Sequence, residues 1–413
     1  MIVGIVKESF PGEQRVALTP GVLGLLSKIS LEVVLESGCG EPAGFPDQDY
    51  VENGAKVAKS RADVFSQADI ICQVRTIGAN PQDSQSDLKL MRSDQIIIGH
   101  CEPLTTVDPI QTLAGSGATS FALELMPRIT RAQSMDVLSS QATIAGYKAV
   151  LLAAGHLPKM FPMMMTAAGT IAPAKVFVVG AGVAGLQAIA SARKLGAVVT
   201  AYDIRPVVKE QVESLGAKFL EIELPATGDS EDKGGYAKAM DDEFYRKQRE
   251  AMTHAVGESD VVITTAAIPG KKSPILVTAT MIDGMAPGSV IVDLAAERGG
   301  NCEPTKADET VIHNGVTILG PTDLPSTVPY HASQMYAKNV ATFLKEITKE
   351  GRIELDEDNE VIIGTLLTRD GEIVHAFARE VFGLEPLTPV AAGVDIGGGG
   401  DTGEAGGSGG SDT

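Results

Sequence analysis

Three glycines, Gly180, Gly182 and Gly185, lie in the segment KVFVVGAGVAGLQAIASARKLGAVVTAYD. Glycine at these intervals lets a backbone turn tightly and come close to an anion. A bare G-x-G-x-x-G spacing is weak evidence, because a purely structural turn can carry it. Here the glycines follow an aliphatic strand pattern and open a helical one, and a second strand pattern ends in Asp203. Gly180 serves the tight turn, Gly182 the approach of backbone to a pyrophosphate, and Gly185 the packing of helix on strand. The helix start at Val183 and Ala184 offers free N–H groups and a partial positive charge. The Asp203 carboxylate can accept from ribose hydroxyls and would repel a 2′-phosphate. NAD(H) is therefore favoured over NADP(H), although Arg205, just past Ile204, is of the type that accepts such a phosphate.

Elements able to hold this turn recur along the chain. IVGIV (2–6), LEVVLE (31–36), DIICQV (69–74), QIIIGH (95–100) and TSFAL (119–123) read as strands, with helical stretches at Pro20–Lys28 and Arg61–Gln67. Residues 131–165 read as one long helix running into FPMMMTAAG, whose methionines suit a gap-filling core or a buried hinge. From about Lys175, KVFVVG, VVTAYD, AKFLEI, DVVITTA, GSVIVDL and GVTILG give six further aliphatic strands, as a parallel sheet covered on both faces requires. A helix at Ser333–Lys349 follows, then a hairpin of EVIIGTLL and GEIVHAF. The expected fold is α/β: two Rossmann-like, doubly wound parallel-sheet domains with a cleft between them.

Composition narrows the function classes. The 413 residues allow two or three domains, and the net charge of −19 with no basic stripe argues against nucleic-acid binding. Four widely spaced cysteines, with no CxxC or Cys/His metal spacing, suit free thiols in a reducing compartment and predict no metal site. MIVGIVKESF is not a signal peptide, and no run of about 20 uncharged apolar residues predicts a membrane span.

Four further segments carry a family resemblance. KESFPGEQRVALTP resembles the opening of alanine dehydrogenases and of the NAD(H)-binding component of proton-translocating nicotinamide nucleotide transhydrogenases. ELMPRITRAQSMDVLSSQ (124–141) is similar to the transhydrogenase loop that sets an Arg, a Gln, an Asp and a Ser against the nicotinamide. The resemblance maps these onto Arg128, Gln133, Asp136 and Ser139. Read by itself, that cluster is a helix-start cap with a solvated face. GDSEDKGGYAKAMDDEFYRKQ (228–248) resembles the family's mobile loop, with Gly235 and Tyr236 closing over nucleotide; TTAAIPGKKSP (264–274) resembles the segment lining the nucleotide groove, with Thr265 and Ala266.

The resemblance implies a soluble transhydrogenase subunit that holds NAD(H) and exchanges hydride with an NADP(H)-binding subunit, while a membrane-spanning subunit couples the exchange to protons. It also implies a homodimer, cytoplasmic and attached to the inner membrane only through its partners. The first domain would be discontinuous, 1–130 plus 325–390, the second 140–320, with a disordered tail at 393–413. The other reading is an alanine dehydrogenase-like amino-acid dehydrogenase. Arg15 and His100 stand where that family binds a substrate carboxylate and moves a proton. The family's substrate-binding Lys falls near 73–75, where this chain has Arg75.

Overall fold

The computed structural model describes residues 1–221, 242–267, 270–356 and 358–387. Six strands open the chain: β1 (Ile2–Ile5), β2 (Glu32–Glu36), β3 (Lys56–Ala58), β4 (Ile70–Arg75), β5 (Ile96–His100) and β6 (Thr119–Ala122). All pair in parallel. The runs are aliphatic because helices cover both faces: β4 is buried at every position but its last.

A 3-10 turn, Thr130–Met135, leads into the helix Val137–His156, so the long helical stretch is shorter than its pattern suggests. This helix is long and apolar enough to cross a bilayer by length and by its mean hydropathy of 1.2, which differs from the expectation that no such stretch occurs. It serves instead as the spine of the molecule. Its Gln141 reaches Arg15 and the Ala332 carbonyl, and its Ala149, Val150 and Ala153 enter the second core.

The methionine run corrects an expectation. It forms a small hairpin, β7 (Met164–Thr166) and β8 (Gly169–Ile171), every residue of which is exposed. Antiparallel pairing across a two-residue turn, with Gly169 just past it at φ +123°, makes an arm, not a core filler.

The second sheet contains β9 (Lys175–Val179), β10 (Val198–Tyr202), β11 (Lys218–Phe219), β12 (Val261–Thr264), β13 (Val290–Asp293), β14 (Thr310–His313) and β15 (Val316–Leu319). The six expected strands are all present; β14 is an additional antiparallel edge strand, short and half-exposed, with little apolar signal to reveal it.

The helix Pro329–Ile347 then crosses back and packs on the first core through Tyr336, Val340, Phe343 and Leu344. After a two-residue hairpin, β16 (Thr348–Lys349) with β17 (Arg352–Ile353), EVIIGT forms the helix Glu360–Thr365 instead of a strand. The Asn359 side chain caps its start by accepting from Val361 N at 2.9 Å. Only β18 (Leu366–Arg369) and β19 (Glu372–Ile373) form the hairpin, and they extend the first sheet beyond β6. The two sheets run β3-β2-β1-β4-β5-β6-β18-β19 and β11-β10-β9-β12-β13-β15-β14. Each contains the doubly wound 3-2-1-4-5-6 order, with antiparallel strands added beyond the sixth. Two Rossmann-like domains result. All four cysteines are buried and free.

Candidate functional site

The turn after β9 shows why three glycines are needed. Gly180 sits at φ +99°, and a Cβ on it would lie 2.6 Å from the Thr265 hydroxyl. A Cβ on Gly185 would lie 1.8 Å from the Gly180 carbonyl oxygen, so helix and strand could not close. Gly182 faces open space, with nothing within 4 Å of a hypothetical Cβ. The first intrahelical bond runs from Leu186 N to Gly182 O at 2.8 Å. The N–H groups of Val183, Ala184 and Gly185 therefore precede the helix ladder, beside that open space. This is a cradle for an anion, and a pyrophosphate fits its chemistry.

Neighbouring strand ends complete the turn. Thr265 follows β12 and donates its hydroxyl to the Gly180 carbonyl at 3.0 Å. Ala266 is fixed by Asn301, whose amide accepts from Ala266 N at 2.9 Å and donates to its carbonyl at 2.8 Å. Asn301 is in turn anchored by Asp293, at the end of β13, which is fully buried. The Asp293 carboxylate accepts from Thr264, Thr305, Ala295 N, Asn301 N and Cys302 N at 2.8–3.0 Å. Five donors offset the cost of burying that charge. Sequence reasoning missed Asp293 and Asn301. The one available signal was an acidic residue closing the apolar run GSVIVDL, where a parallel strand meets the ligand edge of the sheet.

Asp203 ends β10 as expected, but its carboxylate is engaged within the protein. It accepts from Ala181 N at 2.7 Å and from Arg205 through N at 2.9 Å, Nε at 2.9 Å and Nη2 at 3.1 Å. Asp203 thus braces the glycine turn, and Arg205 folds back onto it instead of standing open for a 2′-phosphate. Ile204 between them is half-buried.

The 128–139 segment forms the entry to the Val137–His156 helix. Asp136 is its N-cap, accepting from Ser139 N at 2.9 Å and from Ser139 Oγ at 2.6 Å. Arg128 and Gln133 are exposed on the approach. The cap and the glycine turn are tied through helix packing. A Cβ on Gly146 would lie 2.1 Å from the carbonyl oxygen of Ala184, in the first turn of the phosphate-side helix. Gly146 lies ten residues beyond Asp136, about 15 Å along the axis. Gly235 and Tyr236, with most of their loop, lie outside the described residues, as does the 393–413 tail.

The same edge of the first sheet is built in the opposite way. The Arg15 guanidinium is buried and gripped by Glu13 at 2.7 and 2.6 Å, with Gln141 at 2.9 Å and Asp323 at 3.3 Å. Arg75 joins through Glu13 at 3.1 Å and Asp323 at 3.2 Å, over the Phe10 ring. Burial opposes the Glu13 charge, but hydrogen bonding and attraction from Arg15 and Arg75 prevail and hold its carboxyl well below the usual range. His100 stacks near Tyr336 and is pushed down to about 3, by burial first and then by Arg15 and Arg75. Glu124 accepts from Cys101 N at 2.7 Å and Glu102 N at 2.6 Å, and burial raises its carboxyl to about 8. Glu102 pairs across the molecule with Arg298, beside the Asn301 network. Among the described residues, no group of three His, Cys, Asp or Glu is placed to hold a metal.

Fold and site together define a class: a two-domain α/β protein of the dinucleotide-dependent oxidoreductase type. The chain belongs to the alanine dehydrogenase/PNT family, whose N-terminal domain model matches residues 4–145 and whose C-terminal domain model matches 149–376. It is 45% identical to the first portion of the NAD(P) transhydrogenase alpha subunit of Rhodospirillum rubrum, over 91% of this chain and 98% of that one. It is similar to the crystal structure of transhydrogenase from Sinorhizobium meliloti, with TM-score 0.78 and 44% identity over 91% of this chain and 99% of the other. An L-alanine dehydrogenase structure has a TM-score of 0.76 but 26% identity, over 93% and 99% of the two chains.

Proposed function

We propose that this chain is the NAD(H)-binding subunit of a proton-translocating transhydrogenase, passing hydride directly between its own nucleotide and NADP(H) held by a partner subunit. A membrane-spanning subunit couples that exchange to protons, so the chain lies on the cytoplasmic side, attached peripherally through its partners, and works as a homodimer. The division of labour follows residues 1–130 plus 325–390 for one domain and 140–320 for the other.

One observation carries the choice between the two readings. Arg15, the residue a small keto acid would need, is already saturated by Glu13, Gln141 and Asp323, and burial disfavours the charged imidazolium form of His100 that would donate a proton. Reduction of a keto acid needs both an anion clamp and a proton donor tuned near neutral pH. Exchange between two nicotinamides needs neither. It needs two rings held at near-contact distance with water excluded.

The bound dinucleotide would supply the hydride. The residues of this chain position it. Gly180, Gly182, Val183, Ala184 and Gly185 bind the pyrophosphate. Asp203, Ile204 and Arg205 border the ribose, and Thr265 and Ala266 line the groove. Asp136 and Ser139, each already a partner of the other, orient the carboxamide, while Arg128 and Gln133 face the partner's nucleotide. Gly235 and Tyr236, which lie outside the described residues, complete the set of nucleotide-binding residues in this reading.

The test is to mix the purified chain with an NADP(H)-binding subunit and follow reduction of an NAD analogue by NADPH. Exchange is expected only in the mixture. Absence of exchange, together with pyruvate-plus-ammonia reduction by the chain alone, would establish the dehydrogenase reading in its place.

A further inference from the structure

The helix Pro329–Ile347 returns from the second domain and lies along the segment 131–141. It grips that segment at residues 332, 339 and 346. These are seven apart, about two turns or 10.5 Å per step, so all three fall on one face. The Ala332 carbonyl accepts from Gln141 Nε2 at 3.1 Å. Asn339 donates its Nδ2 to the Ser134 carbonyl at 2.9 Å. The Glu346 carboxylate stands 3.7 Å from Arg131 and accepts from Asn359 at 3.1 Å, and Asn359 Oδ1 accepts from Arg131 at 3.1 Å. Ala132 and Met135, three apart on the 3-10 turn, enter the same core as Tyr336 and Val340.

The middle contact is anomalous. Asn339 is 7% exposed, in a helix whose large buried residues are otherwise Tyr336, Val340, Phe343, Leu344 and Ile347. Its Oδ1 is buried with no hydrogen-bond partner among the described residues. A buried acceptor left unpaired costs stability, and an apolar side chain of the same branched shape avoids that cost. Turning the amide over gives no relief, because Oδ1 would then face the Ser134 carbonyl. Folding alone does not call for an asparagine here. Its one bond serves the loop. Ser134 lies between Gln133, which is exposed, and Asp136, which caps the Val137–His156 helix. We infer that Asn339 is a positioning residue for hydride transfer: by holding the Ser134 carbonyl it sets where Gln133 and Asp136 stand against the nicotinamide. This rests on the transhydrogenase reading above and adds a residue from far outside the 128–139 segment.

The experiment follows reduction of an NAD analogue by NADPH in a mixture of the full chain with the NADP(H)-binding subunit. Wild type is compared with N339L, N339A and N339Q. N339L keeps the branched shape and removes the donor. It should slow exchange at saturating nucleotide about tenfold, because reacting rings tolerate little misplacement. Its KM for the NAD analogue and its NADH affinity by fluorescence should stay within about twofold of wild type. Its thermal transition should not fall, since the orphan acceptor is gone. N339A removes the donor without adding volume and should slow exchange as much. N339Q, which keeps an amide donor, should recover most of the rate. A wild type that performs no exchange overturns the transhydrogenase reading and the role of Asn339 together. A wild type that exchanges, with N339L or N339A equally fast, overturns the positioning role alone. The same holds if N339L and N339A lose rate, NADH affinity and thermal stability in parallel, or if N339Q is as slow as N339L.

Discussion

The two sheets share one strand order, and the loops at their ligand edges are opposites. After β9 the chain turns through Gly180, and Gly182 faces open space. After β1 it runs through Lys7–Arg15, which carries no such glycine spacing, and the corresponding edge is filled by Glu13, Arg15, Arg75 and Asp323. The same topology thus yields a ligand cradle where backbone donors are left uncovered, and a closed ionic core where side chains satisfy one another. Strand order supplies a crevice; the residues at its rim decide whether anything can enter.

The sharpest way to break the comparison is to close the open crevice. Gly185→Val places carbon where the Gly180 carbonyl already stands, so NADH affinity should fall by roughly a hundredfold or more, read by nucleotide fluorescence, with secondary structure intact by circular dichroism. Unchanged affinity would mean the turn is not the pyrophosphate site. Next in size is opening the closed crevice. Glu13→Gln leaves the buried Arg15 and half-buried Arg75 guanidiniums short of a counter-charge and should cost about 3 kcal/mol in chemical denaturation. A loss under about 0.5 kcal/mol would show that the cluster is not the stabilising unit described.

A smaller effect tests the link between cap and turn. Gly146→Ala must push the Val137–His156 helix off Ala184, so hydride exchange should slow about tenfold while nucleotide affinity changes little, because positioning alone is disturbed. Equal losses in both would assign Gly146 to binding. The smallest effect is a pH slope. Folded Glu124 keeps its proton to about pH 8, whereas unfolded it releases near its ordinary 4.5. The native state then binds more protons across that window, and stability should fall as pH rises from about 5 to 8. Glu8, raised to about 8 by burial and by Glu13, adds in the same direction. Glu13 has the opposite sign, its contribution being lost only in strong acid, and His100, pushed down to about 3, opposes the slope only below its ordinary 6.5. Glu124→Gln should flatten the slope seen in thermal unfolding at pH 5 and pH 8. An identical slope in variant and wild type would count against a neutral Glu124.

Much of the architecture was legible because parallel strands covered on both faces must be aliphatic throughout. All six strands expected from Lys175 onward are present for that reason. The misses share a different cause. EVIIGT has strand-forming residues but receives a helix cap from Asn359 and packs as a helix, since tertiary context overrides weak propensity over six residues. The methionines looked like core because a sequence shows side-chain apolarity without showing what lies opposite. Asp293 and Asn301 went unseen because their roles rest on hydrogen bonds to loops far along the chain.

By itself the sequence determined the glycine turn, the aliphatic strands that hold it, and the segments by which the family is recognised, because each of these is local and periodic. Only the tertiary structure decided that Asp203 braces its own turn through Ala181 and Arg205. It alone showed that Gly146 ties the Asp136 cap to the phosphate-side helix, and that Arg15 and His100 are locked in a closed core. Those outcomes depend on which groups distant in sequence come within hydrogen-bonding reach, and residue type and spacing do not encode that.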